Sequence, residues 1–301
     1  MTTKTEEFVD LNGTQVSYRH FLGQGTPVLL VHGVGSSIDT WSEVYSRLTQ
    51  TGRSVVAVDL FGHGKSGSGN GDYSLGANAT MLRDVLNFLD IDQVHLVGHS
   101  LGGGVSMQMF YQYPERITSL TLIASGGLGI EVGMSLRAAT LPGSELVIRV
   151  ISRPEVTSTL KSVVGVLGVF GVRRHGFDDR LIQTLQDLQD EEKLSGFVNT
   201  LRSVIGIRGQ RVSALNRLVL VNPERTLIIW GDRDPMLPPA HGYALHELLP
   251  GSRIVIVPNG GHDPHGDSPE LVFNELVDHI ERAEVASISE SGARSITRSI
   301  S

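Results

Sequence analysis

The sequence predicts an α/β protein in which helices cover both faces of a mostly parallel sheet, with a helical cap inserted over one edge of that sheet. The first observation behind this prediction is that short apolar runs alternate with segments of helical periodicity. The second is that the alternation stops between about Ser125 and Arg225, where the pattern is helical throughout. A chain of 301 residues is long enough for one large domain with such an insertion.

The predicted elements follow in chain order. Val9–Asn12 and Gln15–His20, joined at Asn12-Gly13-Thr14, are typical of an antiparallel hairpin. Later runs that are short, apolar and rich in β-branched residues predict buried strands at Pro27–Val31, Ser54–Val58, Val94–Val97, Leu120–Ala124, Thr226–Trp230 and Ile254–Val257. Between or after them lie helical stripes, one formed by Leu82, Val85, Leu86 and Leu89 and another, opened by Ser268-Pro269, by Phe273, Leu276, Val277 and Ile280.

The same pattern sets the expected domain boundaries. Residues 1–125 and 225–286 are expected to form an α/β core, and residues 126–224 a helical cap. Within the cap, one helix is expected to open at Asp178-Asp179 and another to cover Lys193–Ile205. Ordinary crossover helices are the alternative, but the length of the stretch favours a cap. The Ser-rich residues 287–301 have little apolar content and are expected to form a disordered tail.

Composition excludes several classes of function. The formal net charge of -7 and the isoelectric point near 5.9 argue against a nucleic-acid-binding protein. The absence of cysteine excludes disulfides, thiolate metal sites and a cysteine nucleophile. The polar, acidic start of the chain is unlike a signal peptide, and the longest apolar run, Val163–Val172, is too short to span a bilayer. A soluble cytoplasmic protein is therefore expected.

The most informative motif is Gly98-His99-Ser100-Leu101-Gly102, which fits the Gly-x-Ser-x-Gly nucleophile elbow. It lies between the predicted strand Val94–Val97 and a helix-compatible segment that Pro114 closes. A serine between strand and helix sits on a sharp, strained turn with its hydroxyl exposed, and the flanking glycines leave room for neighbouring backbone. This context favours a nucleophilic serine over an ordinary turn.

A serine nucleophile requires a base to accept its proton and a third group to orient that base. Downstream of Ser100, the candidates follow predicted strands, at the strand ends where open α/β sheets carry their sites. The segment after Trp230 contains Asp232 and Asp234, and Gly260-Gly261-His262 follows the last strand. His265, close to His262, is a possible competitor.

These motifs, together with His32-Gly33-Val34-Gly35 and the segment from Asp59 to Ser66, resemble the α/β-hydrolase superfamily of serine hydrolases with a helical cap. The resemblance covers almost everything from about Phe8 to Ala286. It implies the α/β-hydrolase fold, and it implies that Ser100 is the nucleophile, Asp234 the acid and His262 the base. Asp232 remains the rival for the acid, and His265 is expected either behind the catalytic residues or at the rim of the site.

Acyl transfer also needs two donors for the developing oxyanion. The residue after the nucleophile supplies the first, which is the Leu101 N–H. The loop after the third strand supplies the second, and the Val34 N–H is the best candidate there. Because only backbone is needed, valine is chemically acceptable at this position.

The other histidines are expected to be structural, namely His63, His95 and His99. Histidine and carboxylate spacing shows no pattern of metal ligands, so neither a metal nor another cofactor is expected. Apolar cap residues are candidates for lining an acyl pocket, although they could instead only attach the cap to the core: Leu136, Leu141, Leu146, Val147, Ile148, Val163, Val164, Val166, Leu167, Val169 and Phe170.

The resulting hypothesis is a serine hydrolase that cleaves a carboxylic ester with an apolar, small to medium acyl chain through an acyl-serine intermediate. The partner is thus a small-molecule ester, and the oligomeric state is left open. Carbon–carbon bond hydrolases of ring-cleavage products keep the same triad, but they usually show a tryptophan soon after the catalytic histidine, where this chain has Asp263-Pro264-His265. Transfer to an acceptor other than water and a non-catalytic ligand-binding role are further alternatives.

Overall fold

The computed structural model describes residues 5–159, 179–215, 217 and 221–299. Eight strands form one sheet, in the spatial order β1-β2-β4-β3-β5-β6-β9-β10. Their bounds are β1 Glu7–Leu11, β2 Thr14–Phe21, β3 Gln24–Val31, β4 Arg53–Val58, β5 Val94–His99, β6 Ile117–Ile123, β9 Thr226–Gly231 and β10 Arg253–Val257. The strand β2 pairs antiparallel with β1 and β4, and the remaining pairs are parallel. The predicted strands and the mostly parallel sheet are therefore confirmed.

Helices connect these strands and cover both faces of the sheet. Their bounds are α1 Ser42–Gln50, α2 Leu75–Phe88, α3 Leu101–Gln112, α4 Met134–Ala139, α5 Ser144–Ile151, α6 Asp179–Asp187, α7 Glu191–Val204, α8 Ala240–Leu248, α9 Pro264–Asp267 and α10 Pro269–Ser299. Short 3₁₀ turns occupy Ile38–Trp41, Gly69–Gly71, Pro114–Arg116 and Pro223–Arg225. Within the described ranges, no helix is both long enough and apolar enough to cross a membrane.

The core consists of two apolar layers, one on each face of the sheet. Successive residues of β3 alternate between them, because side chains along a strand point to opposite faces. Leu29 and Val31 pack in the layer that contains α2 and α3 residues, whereas Val28 and Leu30 pack in the layer that contains α1 and α10 residues. A strand buried on both faces has a continuous apolar sequence, which is what the sequence shows here.

Two features differ from the sequence-based expectations. The stretch between β6 and β9 is not helical throughout, because a two-stranded hairpin, β7 Ile205–Gly206 and β8 Gly209–Gln210, follows α7. Gly209 explains the hairpin: its φ is +124°, and a Cβ there would lie 2.0 Å from the carbonyl oxygen of Ile130. At the other end of the chain, α10 is helical to Ser299, although disorder was expected for residues 287–301. After Pro269, Gly292 is the only helix-breaking residue type in α10, so little in the sequence opposes a continuous helix.

The division into an α/β core and a helical cap stays a prediction. The candidate pocket residues of the cap at positions 163–170, and the predicted helix start at Asp178, lie outside the described residues.

Candidate active site

Ser100 occupies a strained turn between β5 and α3. Its φ is 53° and its ψ is -117°, a backbone conformation that residues other than glycine rarely adopt. The glycines on either side permit the close packing of this turn. A Cβ on Gly98 would lie 2.4 Å from the carbonyl oxygen of Gly102, and one on Gly102 would lie 2.3 Å from that of Val31. The spacing of glycines in the motif is thus explained by backbone contacts.

Backbone hydrogen bonds hold the turn in place. The Ser100 N–H donates to the carbonyl of Ile123 at 3.0 Å, and the Ser100 carbonyl accepts from Gly126 at 2.9 Å and from Gly103 at 3.0 Å. Because Ile123 ends the neighbouring strand β6, the sheet itself positions the serine. These bonds involve only the backbone of Ser100, so its side-chain Oγ can form a hydrogen bond with a residue outside the turn.

The structure brings His262 and Asp234 to Ser100, although these residues are far apart in the sequence. The Nε2 atom of His262 lies 2.9 Å from the Ser100 Oγ, and its Nδ1 lies 2.8 Å from Oδ2 of Asp234. A carboxylate only accepts hydrogen bonds, so Nδ1 carries the proton. In the neutral ring, Nε2 is then free to accept the proton of the serine hydroxyl.

Asp234 is 8 % exposed, and its other carboxylate oxygen is also bound. Oδ1 accepts hydrogen bonds from the backbone N–H groups of Met236 at 2.8 Å and Leu237 at 3.0 Å. These bonds fix the rotation of the carboxylate and direct Oδ2 at the imidazole. Asp232, the rival acid, is exposed. The geometry therefore places Asp234, and not Asp232, against the histidine.

The loop that carries His262 packs tightly on the end of β9. A Cβ on Gly231 would lie 2.1 Å from the carbonyl oxygen of Gly261, so residue 231 must be glycine for the two loops to meet. Between the two loops, the Arg233 N–H donates to the Gly260 carbonyl at 2.9 Å. The loops that follow β9 and β10 are thereby held side by side, which sets the distance between acid and base.

Electrostatics at His262 favour its protonated form. Burial alone would lower the pKa of His262, but the hydrogen bond and the negative charge of Asp234 outweigh burial, and the charge of Asp263 adds to them. The pKa of His262 is therefore raised above its ordinary value of 6.5. An imidazole with this property accepts a proton readily and holds it while a bond to the serine forms.

Val34 and Leu101 lie next to Ser100. The turn that carries Val34 is held by His32, whose Nδ1–H donates to the Gly33 carbonyl at 2.7 Å and whose Nε2 accepts from the Leu60 N–H at 3.0 Å. A Cβ on Gly33 would lie 3.1 Å from the Ser100 Cβ, so this turn runs directly against the serine. Leu101 is the first residue of α3, where a backbone N–H has no acceptor within its own helix, and Val34 lies in the turn that runs against Ser100. These two N–H groups are the candidate donors to a ligand at Ser100.

A narrow cavity of about 40 Å³ opens to solvent beside Ser100. Nearly all of its lining is apolar, and Gln210 and Ser100 contribute the polar side chains. Core residues of the lining include Val34, Leu75, Leu101 and Leu237, and the region between β6 and β9 contributes Val132, Leu136, Leu201, Val204, Ile205 and Val212.

Sequence reasoning identified only part of this lining. Leu136 lines the cavity as expected, but Leu141, Leu146 and Val147 are exposed, and Ile148 packs with Leu188, Leu194 and Val198 away from the cavity. Leu201 and Val204 were missed. Their spacing of three residues on α7 placed them on one helix face, but nothing in the sequence showed which face meets Ser100.

His99 and His265, which lie close to the catalytic residues, have structural contacts. His99 donates from Nε2 to the His262 carbonyl at 2.8 Å, and burial lowers the pKa of His99 to about 4. His265 is buried and stacks on Trp41, with ring centroids 4.5 Å apart. His99, Asp263 and His265 have potential metal-ligand atoms within 4.8 Å of one another. The expectation of no metal and no cofactor stays a prediction.

Comparisons with known proteins agree with this architecture. Residues 28–275 match the model of the alpha/beta hydrolase family. An uncharacterised protein of Mycobacterium tuberculosis is 34 % identical over 296 residues, which is 98 % of this chain and 86 % of that protein. The 2-hydroxy-6-oxo-6-phenylhexa-2,4-dienoate hydrolase of Burkholderia cepacia is 30 % identical over 90 % of this chain and 94 % of that enzyme.

Among solved structures, a thermophilic esterase from Thermogutta terrifontis superposes with a TM-score of 0.70 at 21 % identity, over 93 % of this chain and 99 % of that one. This likeness shows the fold. The match to the family model covers most of the sheet and the loops that carry Ser100, Asp234 and His262. The chain therefore belongs to the alpha/beta hydrolase family.

Proposed function

We propose that this hydrolase cleaves carboxylic esters with apolar, small to medium acyl groups through an acyl-serine intermediate. One observation carries the proposal: the hydrogen-bonded chain from Ser100 through His262 to Asp234 ends at an apolar cavity. The chain of hydrogen bonds supplies an activated nucleophile, and the cavity supplies a place for an apolar acyl group.

In the acylation half-reaction, Nε2 of His262 accepts the proton of Ser100 as Oγ bonds to the ester carbonyl carbon. The carbonyl oxygen becomes an oxyanion, and the N–H groups of Val34 and Leu101 donate hydrogen bonds to it. Asp234 keeps Nδ1 protonated and stabilises the imidazolium that forms. His262 then returns the proton from Nε2 to the leaving alkoxide, and the alcohol departs.

In the deacylation half-reaction, His262 accepts a proton from water, whose oxygen attacks the acyl carbon of the serine ester. The same two N–H groups hold the second oxyanion. As this intermediate collapses, the bond between the acyl carbon and Oγ breaks, and His262 returns its proton to Oγ. The carboxylic acid leaves and Ser100 is regenerated.

The cavity lining supports an apolar acyl group. Its described walls hold no lysine or arginine that could pair with a substrate carboxylate. Burying an unpaired charge there would be costly, whereas each buried methylene contributes roughly 0.8 kcal/mol. The walls therefore favour a neutral ester with an aliphatic chain over a dicarboxylate.

A series of p-nitrophenyl esters of increasing acyl length tests the proposal, with a fluorophosphonate probe that labels an activated serine. Turnover of these esters and labelling at Ser100, both lost in Ser100→Ala, are expected. An unlabelled Ser100 without ester turnover would contradict the proposal and favour a non-catalytic ligand-binding role on this fold.

Carbon–carbon bond hydrolysis is a second candidate, because the relative from Burkholderia cepacia with 30 % identity is named for a dienoate substrate. The absence of a cation in the described cavity lining disfavours it, since a dienoate carries a carboxylate. Including the ring-cleavage dienoate in the substrate panel separates the two candidates. A higher kcat/KM for the dienoate than for every ester would reverse the assignment.

A further inference from the structure

The proposed base and nucleophile follow strands that are not neighbours in the sheet. Ser100 follows β5 and the loop of His262 follows β10, so that β6 and β9 lie between the two strands. Neighbouring strands are about 4.8 Å apart, which separates β5 from β10 by roughly 14 Å. The position of the base relative to the nucleophile therefore depends on contacts outside the hydrogen bonds of the sheet.

A backbone hydrogen bond attaches the loop of His262 to the segment that carries the acid. The Arg233 N–H, next to Asp234 in the chain, donates to the Gly260 carbonyl at 2.9 Å. This bond fixes the distance between the base loop and the acid. It does not fix the distance between the base loop and Ser100.

The side chain of His99 joins the base loop to β5. His99 is the last residue of β5 and directly precedes Ser100. Its Nε2–H donates to the backbone carbonyl of His262 at 2.8 Å, and the same nitrogen lies 3.3 Å from Oδ1 of Asp263. Because a carbonyl oxygen only accepts hydrogen bonds, the proton of the neutral ring is on Nε2. The side chain that binds the backbone of the base thus belongs to the neighbour of the nucleophile.

Tight packing holds the His99 ring in this orientation. The residue is 4 % exposed. The rings of Trp41 and His265 pack against it edge to face, with centroid distances of 6.5 Å and 4.7 Å. A Cβ on Gly33 would lie 3.1 Å from Nδ1 of His99, so the turn after β3 also lies against the ring. The direction of the Nε2–H bond is therefore fixed by its surroundings.

We propose that His99 is a positioning residue, whose Nε2–H holds the backbone of His262 at the distance from Ser100 that proton transfer requires. The inference rests on the proposed ester hydrolysis. His99 acts through His262 and not on the substrate. A displacement of about 1 Å can lower the rate on the order of a hundredfold. Loss of this hydrogen bond should therefore lower kcat, whereas KM, which depends on the cavity walls, should stay nearly constant.

Two amide variants test the position of the donor. The side-chain NH₂ of glutamine reaches about as far as histidine Nε2, whereas that of asparagine reaches only as far as Nδ1, and both donate. His99→Gln can therefore replace the bond to the His262 carbonyl, and His99→Asn and His99→Leu cannot. On a short p-nitrophenyl ester, kcat should fall about a hundredfold in His99→Asn and His99→Leu, with KM within about twofold of wild type. In His99→Gln, kcat should stay within about tenfold of wild type.

His95 offers the matched control, because it is also a buried histidine on β5. Its Nδ1 forms a hydrogen bond with Oγ of Ser119 at 2.8 Å, away from the catalytic residues. His95→Leu should lower Tm and leave kcat unchanged. Melting curves verify that each variant is folded at the assay temperature, and the comparison of His99→Gln with His99→Asn decides the test if His99→Leu does not fold. Equal kcat in these two amide variants, or an equal loss in His95→Leu and His99→Leu, would overturn the proposal.

A double-mutant cycle tests whether His99 acts through the base. His262→Ala leaves a residual rate that comes from the oxyanion donors and from binding, and His99→Leu should lower this rate no further. A further loss as large as in the wild-type background would overturn the proposal. Ester turnover by the wild-type protein and labelling of Ser100 are measured first. If both are absent, the proposed function fails and this inference with it; if both are present, the His99 variants test this inference alone.

Discussion

Replacing Asp234 by asparagine tests the proposed mechanism at a single atom. The N–H groups of Met236 and Leu237 donate to Oδ1 of Asp234, and an asparagine can keep these bonds only by leaving its carbonyl oxygen there. Its NH₂ group then replaces Oδ2, 2.8 Å from Nδ1 of His262. Because an amide NH₂ donates, Nδ1 must accept, and the neutral ring then carries its proton on Nε2.

A protonated Nε2 cannot accept the Ser100 proton. Reversal of the imidazole tautomer in a serine triad lowers kcat on the order of ten-thousand-fold. This factor corresponds to about 5 kcal/mol of transition-state stabilisation. The fold should persist, since asparagine has nearly the same shape as aspartate and the backbone bonds to Oδ1 remain. The expected result is therefore a large loss of kcat with little change in Tm.

The assay is steady-state hydrolysis of a short p-nitrophenyl ester by Asp234→Asn and, as matched control, Asp232→Asn. Asp232 lies two residues away on the same loop and is exposed, so its replacement should change kcat less than about tenfold. A greater loss in Asp232→Asn than in Asp234→Asn would show that the acid is misassigned. Equal, small losses in both would remove the carboxylate from the mechanism.

The remaining predictions address the nucleophile, the base and the cavity. Ser100→Ala should lower ester turnover on the order of a million-fold while Tm barely moves, and retained turnover would place the nucleophile elsewhere. Because His262 must be neutral to act and its pKa is raised, kcat/KM should rise with pH through a midpoint above 6.5; a flat profile between pH values of about 5 and 8 would contradict this. Each added acyl methylene should raise kcat/KM by up to about fourfold until the cavity is full. Leu136→Ala should flatten that rise in kcat/KM and spare the acetate ester, because Leu136 lines the cavity. Ile148→Ala, which changes a residue packed away from the cavity, should lower Tm and leave the rise intact. Equal losses of kcat/KM on all esters in both variants would show that Leu136 only attaches this segment to the sheet.

Local patterns in the sequence predicted the framework of this protein. The runs Pro27–Val31 and Ser54–Val58 predict strands buried on both faces because a continuous apolar run has no solvent side, and both lie in the centre of the sheet. The elbow at Ser100 was predictable for a similar reason. Its glycines are required by contacts with residues a few positions away or on an adjacent strand, so the glycine spacing of the motif predicts the local geometry.

The walls of the cavity could not be predicted in this way. Leu146 and Leu201 are both leucines on helices of the same segment, yet Leu146 is 69 % exposed and Leu201 is buried at the cavity. Helical periodicity defines a face but does not state which partner that face meets. The short hairpin between Ile205 and Gln210 was missed because the close approach of Gly209 to Ile130 is a tertiary contact.

The sequence by itself determined the strands, the order of Ser100, Asp234 and His262 along the chain, and the sharp turn at the serine, since each depends on residues close in sequence. Only the tertiary structure decided between Asp232 and Asp234 as the neighbour of His262. Both follow β9 within a few residues, and the choice depends on which carboxylate the N–H groups of Met236 and Leu237 hold against a histidine from another strand. The same holds for the cavity walls, because apolar side chains bury against whichever surface the packing of the helices offers them.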